Sequence, residues 1–159
     1  MVITTESLSE IRKRHVHQKV VLTSGTFDLF HTGHLNYLEQ VKSHGDVVVV
    51  LLSGDKRIKA RKGNKRPIIN EVDRAHILDG FRVVDYVFID PSELSPEETD
   101  PIHAEILAKL QPDLYVTDGP DPRFYSLMDP SKFVILDRMN PEPSTTSIIQ
   151  RIVDINSAE

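Results

Sequence analysis

Residues 19–52 read KVVLTSGTFDLFHTGHLNYLEQVKSHGDVVVVLL, and the order of elements inside this stretch decides the fold. KVVLT is a short apolar, β-branched run stopped by Ser24 and Gly25, the pattern of a buried strand. Leu35, Leu38 and Val41 then recur at helical spacing over 33–44, and Gly45 stands where a helix C-cap needs it. DVVVVLL follows as an unbroken apolar run, which a strand shows when both its faces are covered. Strand, helix and doubly covered strand in this order form a parallel pair with a helical crossover.

The same alternation continues outward. The patterning predicts strands centred on 86–89, 114–117 and 133–136. It predicts helices over 71–81 (opened by Asn70 or Glu71), over 101–110 (with Asp100 as N-cap and Pro101 at the first position), and after Ser144. Ile148, Ile149, Ile152 and Val153 form the last helix's apolar stripe. The expected fold is therefore α/β, a single doubly wound parallel sheet of about five strands. Residues 1–18 read as an N-terminal arm, with a short helix carrying Leu8 and Ile11 on one side, and 19–159 as the domain.

Composition narrows the chemistry. A chain of 159 residues with 39% hydrophobic and 27% charged residues is one soluble domain's worth. The absence of cysteine excludes disulfides, thiolate metal sites and cysteine nucleophiles. No apolar run approaches the ~20 residues of a membrane helix, and residues 1–17 lack a secretory signal's apolar core, so a cytoplasmic protein without membrane contact is expected. Net charge is −5, yet residues 56–66, KRIKARKGNKR, hold seven Lys or Arg and no acid; the rest of the chain has 12 basic against 24 acidic residues. A basic island on an acidic body implies a local anion site more than a nucleic-acid face. The nearest aromatics in sequence, Tyr37 and Phe81, fall on predicted helices away from it, which argues against stacking on single strands.

In doubly wound sheets ligands bind beyond the carboxyl ends of the strands, where strand order reverses. After the first strand comes GTFDLFHTGH, residues 25–34. His31 and His34, three apart across Gly33 at a strand-to-helix turn, can face one small volume near a helix N-terminus. Free N–H groups and the helix dipole there already favour phosphate. Imidazole donors would add hydrogen bonds to oxygens whose charge grows in a transition state. Zinc is disfavoured, because no cysteine or third ligand accompanies the pair.

GTFDLFHTGH closely resembles the GxFDxxHxGH signature of the cytidylyltransferase-like nucleotidyltransferases, a family that includes glycerol-3-phosphate cytidylyltransferase and the nucleotidyltransferase part of the ADP-heptose synthases. SGDKRIKARKGNKRPIINEVDRAHIL resembles the family's second block and PSTTSIIQRI its third, so the likeness runs from about residue 19 to 152. It implies that Thr26 and Phe27 offer backbone to the α-phosphate region, while His31 and His34 stabilise charge on that phosphate and on the departing pyrophosphate. It makes Lys59 the lysine that touches both substrates, assisted by Arg61 or Lys62, and sets Arg74 near the triphosphate. Ser144, Thr145 and Thr146 would hold the β- and γ-phosphates, and Arg138 would contact base or triphosphate. Asp28 belongs to the signature and reads as a brace for the turn.

The resemblance further implies a nucleoside triphosphate and a small phosphorylated acceptor (alcohol, sugar or phosphonate), with Mg2+ held by substrate oxygens and water, protein metal ligands unknown, and a homodimer. CTP is the expected donor, because GTFDLFHTGH and the short chain look like the glycerol-phosphate type. The alternative is ATP, in an adenylyltransferase of the ADP-heptose synthase or FAD synthetase type, because RKGNKRPI looks like the heptose kind. An alternative of another class, a non-catalytic nucleotide-binding regulator, sits poorly with the presence of both histidines and the lysine.

Overall fold

The computed structural model describes the backbone of residues 1–92, 96–119, 121–137 and 143–157, with the side chains of 96–100, 122 and 123 outside the description. Its sheet has six parallel strands: β1 (Val2–Ile3), β2 (Val20–Gly25), β3 (Val47–Ser53), β4 (Tyr86–Asp90), β5 (Leu114–Thr117) and β6 (Phe133–Ile135), in the order β1-β4-β3-β2-β5-β6. Five strands stand where the patterning puts them. The sixth, β1, is two residues long and pairs Val2 with Val87 and Ile3 with Phe88. Two residues carry no readable period, so pattern alone could not show it.

Helices cover both faces of the sheet. The first layer packs α1 (Ser7–Arg14) and α5 (Pro96–Leu110) over one core, where Leu8, Ile11, Ile106 and Leu110 meet Leu22, Val49, Phe88 and Tyr115. The second packs α2 (Thr32–Lys42) and α4 (Glu71–Asp79), where Leu38, Val41, Ala75 and Leu78 meet Val21, Val48, Val50 and Val87. Every residue of β3 is buried, which is why its sequence never alternates. Asn70 caps α4 by accepting the Asp73 N–H at 2.9 Å.

Three expectations change. Residues 55–62, inside the basic stretch, form a helix, α3 (Asp55–Lys62), which the sequence did not announce because it is polar nearly all round. Ile58 anchors it in the core, and Asp55 at its start with Lys59, Arg61 and Lys62 at its end suit the helix dipole. α5 begins at Pro96, and Pro101 lies inside it rather than at its first position. Pro96 is itself suited to the first position, and the ring at Pro101 costs one backbone hydrogen bond within a helix that packing holds. Finally, α7 (Thr145–Ser157) has its Ser144 cap, with the Ser147 N–H donating to Ser144 Oγ at 3.1 Å, but its apolar stripe is not a core face: Ile152 and Val153 are both half exposed. A short helix, α6 (Pro122–Tyr125), lies between β5 and β6. No helix among the described residues is long and apolar enough to cross a membrane.

Candidate active site

Strand order reverses between β3 and β5 on either side of β2, and a cleft of about 1050 Å³ opens there at the carboxyl ends of the strands. Its floor is the turn from β2 into α2. A Cβ on Gly25 would come within 2.6 Å of the Phe27 ring, so only glycine lets the strand pass that close. Phe27 and Leu29 both adopt left-handed backbone, at φ 49° and 45°, which disfavours side chains and persists where the surroundings over-determine it. Here Phe27 is locked in the core. Asp28 is locked too, its carboxylate accepting the N–H groups of Ile68 and Ile69 at 3.1 and 3.0 Å and the Arg66 Nε–H at 2.9 Å. Burial alone would raise the Asp28 pKa, but these donors outweigh it and hold the carboxyl below its usual range. Asp28 is thus a brace, as one reading of the signature has it.

The two histidines meet as the spacing predicts. Their rings stack with centroids 3.8 Å apart and planes 24° apart, His31 standing at the N-cap position of α2. His34 also lies edge-on to Phe27, with centroids 5.3 Å apart. Burial first, and then the neighbouring His31, push its pKa down to about 4, so His34 is neutral at pH 7. Its Nδ1 is buried and has no hydrogen-bond partner among the described residues. A Cβ on Gly33 would meet the His31 ring at 3.0 Å and the Pro143 carbonyl oxygen at 3.1 Å, so this glycine lets the chain before α7 close over the turn. The Thr145 hydroxyl completes that contact by donating to the Asp28 carbonyl at 2.7 Å. Ser144, Thr145 and Thr146 accordingly border the cleft beside the histidines, as do Thr26 and Phe27.

The basic residues divide differently from expectation. Arg61 and Lys62 border the cleft, together with Arg57 and Arg66, whereas Lys59 is exposed on another side of α3 and does not. Partial desolvation, then the guanidinium charges of Arg66 and Arg61, lower the Lys62 pKa. Arg74 is fully buried and outside the cleft wall. Its guanidinium donates to the carbonyls of Thr26 (2.6 Å), Ser53 (2.9 Å) and Ile69 (2.9 Å) and pairs with Asp55 at 2.7 Å, tying the turn after β2 to the starts of α3 and α4. Arg138 lies outside the described residues.

Sequence reasoning missed Arg57, Arg66 and the acidic rim of Asp118, Asp121 and Asp137 across the cleft. The acids follow β5 and β6 at their carboxyl ends, where the switch-point rule expects functional residues without saying which. The two arginines carried no signal beyond belonging to a run of like charge. Among the described residues no cluster of three or more His, Asp or Glu could cage a metal ion.

A switch-point cleft with a cationic wall, a histidine pair and a helix N-terminus defines a doubly wound α/β protein built to take a nucleotide's phosphates. The cytidylyltransferase-like family model matches residues 22–151, and the chain belongs to that family of nucleotidyltransferases. It is 44% identical over 115 residues to the bifunctional protein HldE of Helicobacter pylori (strain HPAG1), covering 72% of this chain and 23% of that protein. It is 36% identical over 153 residues to HldE of Campylobacter curvus (strain 525.92), covering 95% and 31%. The chain thus spans between about a quarter and a third of these relatives' length. The crystal structure of the lipopolysaccharide core biosynthesis protein from Thermoplasma volcanium GSS1 superposes with a TM-score of 0.51 at 28% identity, over 65% of this chain and 78% of that one. Pantoate-beta-alanine ligase from Francisella tularensis, at 15% identity and a TM-score of 0.57 over 94% and 75% of the chains, shares the fold.

Proposed function

We propose that the chain transfers the adenylyl group of ATP onto the phosphate of a small phosphorylated sugar and releases pyrophosphate. The observation that carries the chemistry is the stacked His31–His34 pair lining one cleft with four cationic side chains. For the donor, the resemblance of RKGNKRPI to the ADP-heptose synthases gains weight from the similarity to HldE proteins along as much as 95% of the chain. For the acceptor, the likeness to a lipopolysaccharide core biosynthesis protein favours a sugar over a simple alcohol. CTP, favoured by the signature, becomes the second reading.

One displacement suffices. An oxygen of the acceptor's phosphate, already anionic at pH 7, forms a bond to the α-phosphorus while the bond from that phosphorus to the bridging oxygen of the β-phosphate breaks. No enzyme nucleophile is needed, so the protein holds two polyanions in line and neutralises charge as it moves. Neutral His34 has one N–H and donates it to the α-phosphate, while His31 beside it serves the leaving oxygen. The N–H groups opening α7, with Ser144 and Thr146, receive the β- and γ-phosphates. Mg2+ would enter on the triphosphate, held by phosphate oxygens and water, and supply further charge neutralisation.

The test supplies ATP or CTP, with Mg2+ and a panel of sugar phosphates, and measures pyrophosphate. Release with ATP and a sugar phosphate, reduced about 100-fold or more in kcat by His34→Ala, is the expected result. Turnover with CTP alone would move the donor to the second reading. An active His34→Ala protein would remove the histidine mechanism.

A further inference from the structure

Arg66, to which the function proposed above gives no step, is tied to the turn that carries the histidines. Its Nε–H donates to Asp28 Oδ2 at 2.9 Å, and its side chain is only 14% exposed, so the guanidinium is held in one place. That bond uses one of the five N–H groups of a guanidinium. Among the described residues the two terminal nitrogens have no partner, and both reach solvent. Arg66 lines the cleft, so these nitrogens are the donors it brings to a ligand. Arg57 differs, with Nη1 spent on Ser92 Oγ at 3.1 Å and a buried Nε.

The loop that carries Arg66 is held at both ends. Gly63 ends α3 at φ 86°, in backbone that favours glycine, and its carbonyl accepts the Arg66 N–H at 3.0 Å. Beyond Arg66, the N–H groups of Ile68 and Ile69 close onto the Asp28 carboxylate. Asp28 also sets which phosphates Arg66 can reach. Its carboxylate holds Arg66, while its carbonyl accepts the Thr145 hydroxyl at the start of α7 at 2.7 Å. Arg66 and the α7 N-terminus are therefore docked on a single residue, and phosphates resting on one lie within reach of the other.

We propose that the terminal N–H groups of Arg66 bind the β- and γ-phosphates and the departing pyrophosphate, with Asp28 as the positioning residue that aims them. This role rests on the nucleotidyl-transfer reading. As the bond from the α-phosphorus to the bridging oxygen breaks, its electron pair goes to the pyrophosphate, whose negative charge grows. The guanidinium meets that charge with hydrogen bonds and transfers no proton. Fixed from behind by an ionised carboxylate, its planar fork offers phosphate oxygens paired, charge-assisted hydrogen bonds with little ordering left to do. Lysine at this position would keep the charge and lose the fork.

The test is calorimetric titration of inorganic pyrophosphate with Mg2+, and separately of AMP. Arg66→Ala should weaken pyrophosphate binding at least about tenfold and AMP binding less than about twofold, a split that general damage to the fold would not give. Arg66→Lys should lose about three- to tenfold for pyrophosphate, and it reads the same role where Arg66→Ala folds poorly. Asp28→Asn should weaken pyrophosphate binding in the wild-type background and hardly at all in Arg66→Ala, the non-additivity of a residue that acts through another. Equal losses for both ligands would take Arg66 off the β- and γ-phosphates and overturn the proposal, as would pyrophosphate binding that neither Arg66 variant weakens. A full further loss from Asp28→Asn in the Arg66→Ala background would show that Asp28 acts through the turn alone and would remove it as a positioning residue. Wild-type binding of a non-hydrolysable ATP analogue separates the two failures. Where the analogue binds and Arg66→Ala does not weaken it, only the role of Arg66 falls; where neither analogue nor pyrophosphate binds, the nucleotidyl-transfer reading falls with it.

Discussion

The cleft has two walls that the chain builds in different ways. The turn between β2 and α2 is fixed by local requirements: a glycine that no side chain can replace at Gly25, two left-handed residues, and a carboxylate gripped by three donors. The helix α3 opposite has no such markers; it is a row of cations whose inward members are chosen by helical phase and by the anchor at Ile58. A motif of glycines and spaced histidines therefore specifies geometry. A run of like charge specifies only the sign of what binds. Arg74 joins the walls, since it donates to the Thr26 carbonyl on one and to Ser53 and Asp55 on the other.

Removing that join should have the largest effect. Arg74→Ala leaves three carbonyls and Asp55 without their donor in a fully buried position, a change that costs about 3–5 kcal/mol when one partner of a buried charged network is deleted. Denaturant unfolding should show a lowered midpoint with the slope nearly kept. A loss of nucleotide affinity with unchanged stability would instead return Arg74 to the triphosphate contact that the family resemblance implies.

The next comparison separates two lysines of the same helix. Lys62 borders the cleft and Lys59 does not, so Lys62→Ala should raise KM for both substrates by about tenfold or more, the size of a lost charge-assisted contact, and by more than Lys59→Ala does. The reverse order would show that α3 turns its other side inward when substrate binds, and would favour the lysine chosen by sequence resemblance.

How legible the molecule was follows the same division. Five of six strands could be read because buried parallel strands are long apolar runs; β1 could not, with two residues and an edge position set by its pairing to β4. His31, His34 and the Ser144–Thr146 turn were legible because their spacing forces them toward a helix start. Arg57 was not, because the partner that fixes it at the cleft wall, Ser92, lies 35 positions further along the chain. The brace role of Arg74 was hidden for a similar reason, since its partners at Thr26 and Ser53 sit on other strand ends.

The smallest expected effect sharpens the first wall. His34 has its pKa lowered from 6.5 to about 4 in the folded protein, by burial and then by His31. Between those two values the unfolded chain takes a proton that the folded chain refuses, so this group lets stability stand above about pH 6.5 and erodes it as pH falls toward 4. Between pH 7 and 5 the loss should be on the order of 1–2 kcal/mol. Unfolding of the wild type and of His34→Gln, which cannot titrate there, should diverge over that window, the wild type losing more. Parallel curves would mean that His34 keeps its unfolded pKa near 6.5 in the folded protein, and divergence of the opposite sign would mean a raised pKa and a charged imidazole facing the phosphates at neutral pH.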